Sequence, residues 1–177
     1  ARSFLSAYFR SPYTSVWSFA DELNADVTRH WTGKEQALLG VVDVDGVSYR
    51  FMGKETPEEG ASVRFATAAR QLSVNVLPTQ TYYTFECGPV LLDVVFTAPL
   101  LLDDLDRMSM PVNYISWQVR SADQKKHEVR VSVEAFSSLA VNTEDQAVMV
   151  EREVENGISY LKTGTAEQAV LLRKGDD

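Results

Sequence analysis

The 177-residue chain carries 17 Lys and Arg against 25 Asp and Glu, a formal charge of -8. Binding to nucleic acid or anionic lipid rests on an excess of cationic side chains, so both partners are excluded by this balance. The length suffices to bury one substantial core without disulfides or a structural metal. At 45% hydrophobic and 24% charged residues, the composition is that of an ordinary packed domain, not a disordered or fibrous one.

Residues 1–33 are rich in Ser, Thr and aromatics without a sustained period, and read as irregular with one short strand and a turn near 20–23. Residues 36–44 favour a strand, Asp45-Gly46 is a strong two-residue turn signal, and residues 47–52 supply the return. Residues 53–60 form a charged loop. Residues 70–77 alternate, residues 79–87 are β-branched and aromatic, Gly88-Pro89 turns the chain, and residues 90–98 read as a more continuously buried strand at the sheet centre.

Between Pro99 and Pro111, leucines mix with Asp103, Asp104 and Asp106, which predicts a long connection or a single helical turn that crosses between sheets. Residues 112–119 and 127–135 alternate around a polar turn at 122–126, and residues 146–154 and 158–161 flank Asn156-Gly157; each pair is expected to form a hairpin. Strands separated by tight turns, with little helical period, predict an all-β fold: an antiparallel β-sandwich with an irregular N-terminal segment and at most short helical turns. The implied organisation is an irregular segment 1–35 packed on the sandwich, a β-sandwich domain 36–163, and a linker 164–177 after which the polypeptide is expected to continue.

No apolar run approaches the ~18–20 residues of a membrane span, and the start lacks a basic region followed by an apolar core, so any signal peptide has been removed. Cys87 is the single cysteine, which excludes an internal disulfide and a cysteine-based zinc cluster and suits a small core hydrophobe. There is no Asn-x-Ser/Thr sequon.

Sites of chemistry are sparse. Asp43-Val44-Asp45-Gly46 begins like a calcium loop, but that motif needs Gly at its sixth position and Glu at its twelfth, where this chain has Ser48 and Lys54. A hairpin turn accounts for the same residues. Asp103, Asp104 and Asp106 form the densest acidic cluster; solvated or helix-capping carboxylates are the ordinary reading, and contact with a partner domain or ligand the functional one. His30 and His127 lie far apart with no metal-ligand spacing, and His127 is expected to be exposed beside Lys126 and Glu128. No Gly-x-Ser-x-Gly elbow, glycine-rich phosphate loop or dinucleotide fingerprint occurs, so no catalytic residues, metal or cofactor are assigned. Trp117 falls in an alternating strand and is expected in the core. Trp17, His30 and Trp31, in the irregular opening, are candidates to line a cleft, an interface or a glycan-stacking platform.

Ser11-Pro12-Tyr13-Thr14-Ser15-Val16-Trp17-Ser18, His30-Trp31-Thr32-Gly33, residues 44–53, Val74-Asn75-Val76-Leu77-Pro78-Thr79-Gln80-Thr81, Phe96-Thr97-Ala98-Pro99-Leu100-Leu101 and Pro111-Val112-Asn113-Tyr114-Ile115-Ser116 resemble, in that order, the glutaminase A family. The resemblance implies the N-terminal β region of a long, exported, multidomain protein, secreted or periplasmic. In that family such a region precedes a large helical domain, the implied partner of this chain. It also implies hydrolysis of L-glutamine to L-glutamate and ammonia by the parent, without placing catalytic residues among these positions. A β-sandwich before a helical toroid is also similar to several glycoside hydrolases, where sandwich loops wall the active site. Trp17, His30, Trp31, Asp103, Asp104 and Asp106 are then expected to face the helical domain or a small-molecule amide or glycan ligand.

Overall fold

A computed structural model describes residues 15–54, 66–110, 112–143 and 145–167. The expected loop at 53–60 lies largely outside them, as do residues 1–14 of the irregular opening. The chain divides into two compact units, Ala1–Ala135 and Phe136–Asp177.

The first unit is a β-sandwich. Strands β1 (Leu38–Val44) and β2 (Val47–Met52) form a hairpin, with β3 (Thr67–Ala68) beside β2 and β8 (Val129–Ala135) beside β1, giving the order β3-β2-β1-β8. The second sheet follows chain order: β4 (Arg70–Leu77), β5 (Gln80–Cys87), β6 (Val90–Thr97), β7 (Tyr114–Ser121). Pairing is antiparallel throughout except at β2–β3, where Tyr49 faces Thr67 and Arg50 faces Ala68. Asp45 and Gly46 both take positive φ, 50° and 86°, the twist a two-residue hairpin loop requires.

Alternation along each strand decides what the sheets bury. Val42, Val44, Phe51 and Met52 from the first sheet meet Tyr83, Phe85, Cys87, Val90, Leu92, Val94 and Phe96 from the second. Burying each such side chain stabilises the fold by roughly 1.5–3 kcal/mol. The opposite face of the second sheet carries a polar network: the Thr84 hydroxyl donates to Asp93 Oδ1 at 2.8 Å, and Arg120 Nε donates to Asp93 Oδ2 at 2.9 Å.

The irregular opening is held by its polar side chains. Leu23 inserts into the core, and buried Asn24 donates to the carbonyls of Arg50 at 2.9 Å and Ala69 at 2.8 Å. The Thr28 hydroxyl donates to the Gln36 carbonyl at 2.6 Å and accepts the Leu38 N–H at 2.7 Å, which aligns the entry to β1.

Three expectations are corrected. The long connection after β6 does not cross between sheets: β6 and β7 pair from Thr97–Tyr114 to Val90–Ser121. The crossing is made instead by the short polar turn at 122–128, because β8 pairs with β1, so β7 and β8 are not a hairpin. Trp117 pairs opposite buried Val94 and so points to the inner face, yet it is 49% exposed, because β7 is an edge strand with a covering neighbour on one flank only.

In the second unit, β9 (Val148–Glu155) and β10 (Ile158–Thr165) form a two-stranded antiparallel ribbon after a 3-10 turn at Ser137–Ala140. Asn156-Gly157 makes its turn with φ of 50° and 80°. Val148, Val150 and Val154 share one face with Leu161, which is 80% exposed.

Candidate functional site

The candidate residues of the opening are partly gathered by one turn. Trp17 and Arg29 exchange both backbone hydrogen bonds, at 2.7 and 2.9 Å, and the next residue, His30, donates its N–H to the Lys34 carbonyl at 2.7 Å. The His30 and Trp31 rings lie 5.4 Å apart, and the Thr32 N–H donates to His30 Nδ1 at 3.3 Å, which orients the imidazole. Trp17 is half-buried against the core, whereas Trp31 is 46% exposed and presents its ring to solvent.

Asp103, Asp104 and Asp106 lie on the β6–β7 connection, and helix α1 (Leu105–Ser109) occupies its middle. Asp104 is the N-cap: its Oδ1 accepts the Arg107 N–H at 3.0 Å, and its Oδ2 lies 3.2 Å from Arg107 Nε. A hollow of about 330 Å³ is lined by Leu100, Leu101, Leu102, Asp103, Asp104 and Arg107, and by none of the aromatic candidates of the opening. Leu102 and Leu105 are 69% and 68% exposed, so the connection shows solvent an apolar surface studded with carboxylates.

A third group was not expected. His127 is not a freely exposed strand-end residue: it is half-buried, with 9% of its side chain accessible, and both ring nitrogens meet carboxylates, Nδ1 with Asp45 Oδ2 at 2.7 Å and Nε2 with Asp123 Oδ1 at 2.8 Å. Each carboxylate is held in turn. Asp45 Oδ1 accepts the Glu128 N–H at 2.9 Å; Asp123 Oδ1 accepts the Lys125 N–H at 3.0 Å and the Ser121 hydroxyl at 3.1 Å. Hydrogen bonds donated to Asp123 and then to Asp45 raise the His127 pKa above its ordinary value, and accepting them pulls both carboxylates below theirs. The signal in the sequence was the Asp123-x-x-x-His127 spacing, but Asp45 lies 82 positions away.

The contacts these residues make brace the loops and turns that carry them. Cys87 is fully buried, and burial, then the nearby Glu86 charge, pushes its thiol up to about 12, which removes it as a nucleophile. Among the described residues no group of three or more His, Cys, Asp or Glu could hold a metal ion, and no helix is long and apolar enough to cross a membrane.

A family profile described as a domain of unknown function, DUF5127, matches residues 79–177, more than half of the chain. The chain belongs to this family. The DUF5127 match begins at the β4–β5 turn and takes in β5, β6, the connection carrying Asp103–Asp106, and everything after it. A second profile, also a domain of unknown function, DUF4964, matches residues 8–63, which include Trp17, His30 and Trp31. A protein named glutaminase A from Aspergillus oryzae is 25% identical over 162 residues, which cover 86% of this chain and 22% of that relative. The chain thus spans less than a quarter of the length of the relative it matches, and the relationship is distant. No solved structure matches it.

Proposed function

We propose that the chain is a non-catalytic β-sandwich domain of a glutaminase-A-like protein, which packs against the catalytic helical domain and shapes its pocket. The observation that carries this reading is the pairing of coverage: nearly all of this chain aligns with a small part of a much longer glutaminase-named relative. Two apolar surfaces agree with it. Leu100, Leu101, Leu102 and Leu105 on the β6–β7 connection, and Val150, Val154 and Leu161 on the ribbon, are all more than 40% exposed. Water-exposed aliphatic clusters of this kind mark contact surfaces. A two-stranded ribbon is also marginal in water without something to pack on.

In this reading Asp103, Asp104 and Asp106 rim the seat of the helical domain, the parent hydrolyses L-glutamine, and the protein is secreted or periplasmic. The test is release of ammonia and glutamate from L-glutamine by the 177-residue chain beside the full-length protein at equal molarity. Turnover by the full-length protein alone supports the accessory role; turnover by this chain overturns it.

A second reading, glycan binding, is favoured by the exposed Trp31 ring beside His30. Binding to immobilised polysaccharide that disappears in Trp31→Ala would establish it; equal retention of both proteins rejects it.

A further inference from the structure

The 122–128 corner is where the chain passes from one sheet to the other, and its polar groups converge on His127. The two carboxylates around that ring come from different places. Asp123 belongs to the corner itself and is fixed there by Ser121, by the Lys125 N–H and by Lys125 Nζ at 3.4 Å from Oδ2. Asp45 belongs to the β1–β2 turn, and its N–H also donates to the Glu128 carbonyl at 3.0 Å.

An imidazolium donates from both nitrogens, whereas a neutral imidazole has one N–H and one bare lone pair. Both carboxylates at 2.7–2.8 Å are therefore satisfied only while the ring holds two protons. When one proton leaves, a carboxylate faces a lone pair and that contact separates. Asp123 lies on the same corner as the ring, four residues away, and moves with it, whereas Asp45 lies on a separate turn, so the contact given up is the one to Asp45.

Behind the ring lies a hollow of about 300 Å³ lined by Val90, Val119, Ser121, Lys125, His127 and Val129. Among the described residues, Lys125 is the only other charged side chain on that wall. Among the described residues, the charged groups around His127 are Asp45 from the β1–β2 turn and Asp123 and Lys125 from the corner.

We propose that Asp45, His127 and Asp123 form a proton-operated latch: the doubly protonated ring clamps the 122–128 corner to the β1–β2 turn, and loss of its proton releases Asp45 from the ring. The Glu128 N–H, which donates to Asp45 Oδ1, is the natural reporter.

The experiment is amide hydrogen exchange by NMR on the 177-residue chain across the His127 titration, corrected for intrinsic rates, with nitrogen shifts of the His127 ring recorded alongside. The expected result is a doubly protonated ring at the low end. The Glu128 protection factor then falls as the ring titrates, by about tenfold for each pH unit that the closed-state pKa exceeds ~6.5. Leu92, in the middle of β6, keeps its protection. Asp45→Asn, whose side-chain oxygen still accepts from Glu128, loses this pH dependence while folding normally. A ring that is neutral and singly protonated below pH ~6.5, its ordinary value, overturns the latch. So does Glu128 protection that stays flat through the titration, or that falls together with Leu92.

Discussion

Phe51 of β2 and Phe85 of β5 meet across the sandwich with ring centroids 5.8 Å apart and planes at 52°, both fully buried. Tyr83 stacks on Phe85 from the same strand at 5.9 Å. On β1, next to the register shift opposite Phe51, any Cβ at Gly40 would run into the Phe51 ring. Phe85→Ala should therefore cost about 3–5 kcal/mol in denaturant unfolding, combining lost transfer energy with a cavity. Gly40→Ala should cost about 1–3 kcal/mol by overpacking. The pair Gly40→Ala with Phe51→Leu should cost less than the sum of the single changes, because the smaller side chain vacates the space the new methyl needs. Strict additivity would mean that the ring does not set the size of residue 40.

Asn24 ties the opening to the first sheet, since its amide nitrogen serves carbonyls on β2 and just after β3. Asn24→Ala leaves both carbonyls buried without that donor and should destabilise the chain by about 1–3 kcal/mol. Asn24→Asp should be worse above the carboxylate pKa, because the side chain then offers acceptors to acceptors. Equal unfolding midpoints for the Asp and Ala variants near neutral pH would reject this account.

Stability should depend on pH from both sides of the Asp45–His127–Asp123 group. The folded His127 pKa is raised above 6.5, so its contribution is complete below 6.5 and is lost as pH rises through the folded value. The folded carboxylates lie below 3.8, so their contribution is complete above 3.8 and is lost as pH falls through the folded values. The interaction is therefore complete between those two limits. Urea midpoints for the wild type relative to Asp45→Asn should show their largest gap at about pH 5, narrowing toward about pH 9 and toward about pH 2. A gap that widens in alkali would reverse the sign and remove the charged imidazole from the explanation.

The features that were legible in the sequence are local ones. Asp45-Gly46 and Asn156-Gly157 announce their hairpins because positive φ at both positions admits few residue types. Strand alternation pointed to the sandwich because one face of each strand had to be buried. Which sheet a strand joins is decided by pairing with distant segments, so the β6–β7 connection and the 122–128 turn exchanged roles between expectation and structure. The Asp45–His127 contact spans 82 positions and Asn24–Ala69 spans 45, and neither leaves a short-range pattern. Asp104, by contrast, sits where an Asp before a short helical run belongs, at its N-cap.

The exposed leucines of the β6–β7 connection give the sharpest test of the accessory role. Leu102 and Leu105 bury little of their surface within this chain, so replacing both with serine should change its unfolding free energy by less than about 1 kcal/mol. Asp104→Ala removes a cap from a five-residue helix and should cost about 0.5–1 kcal/mol at most, since the helix and its Arg107 partner are exposed. If the connection is the seat of a further domain, the same changes carry a different weight in the full-length protein. There the double serine variant exposes an interface core to mismatch, and glutamine turnover or the thermal midpoint of the assembled protein should fall well beyond the effect in the isolated chain. A Leu102→Ser, Leu105→Ser protein that matches wild type in both settings would remove this connection from the docking surface and leave the ribbon face of Val150, Val154 and Leu161 to carry it.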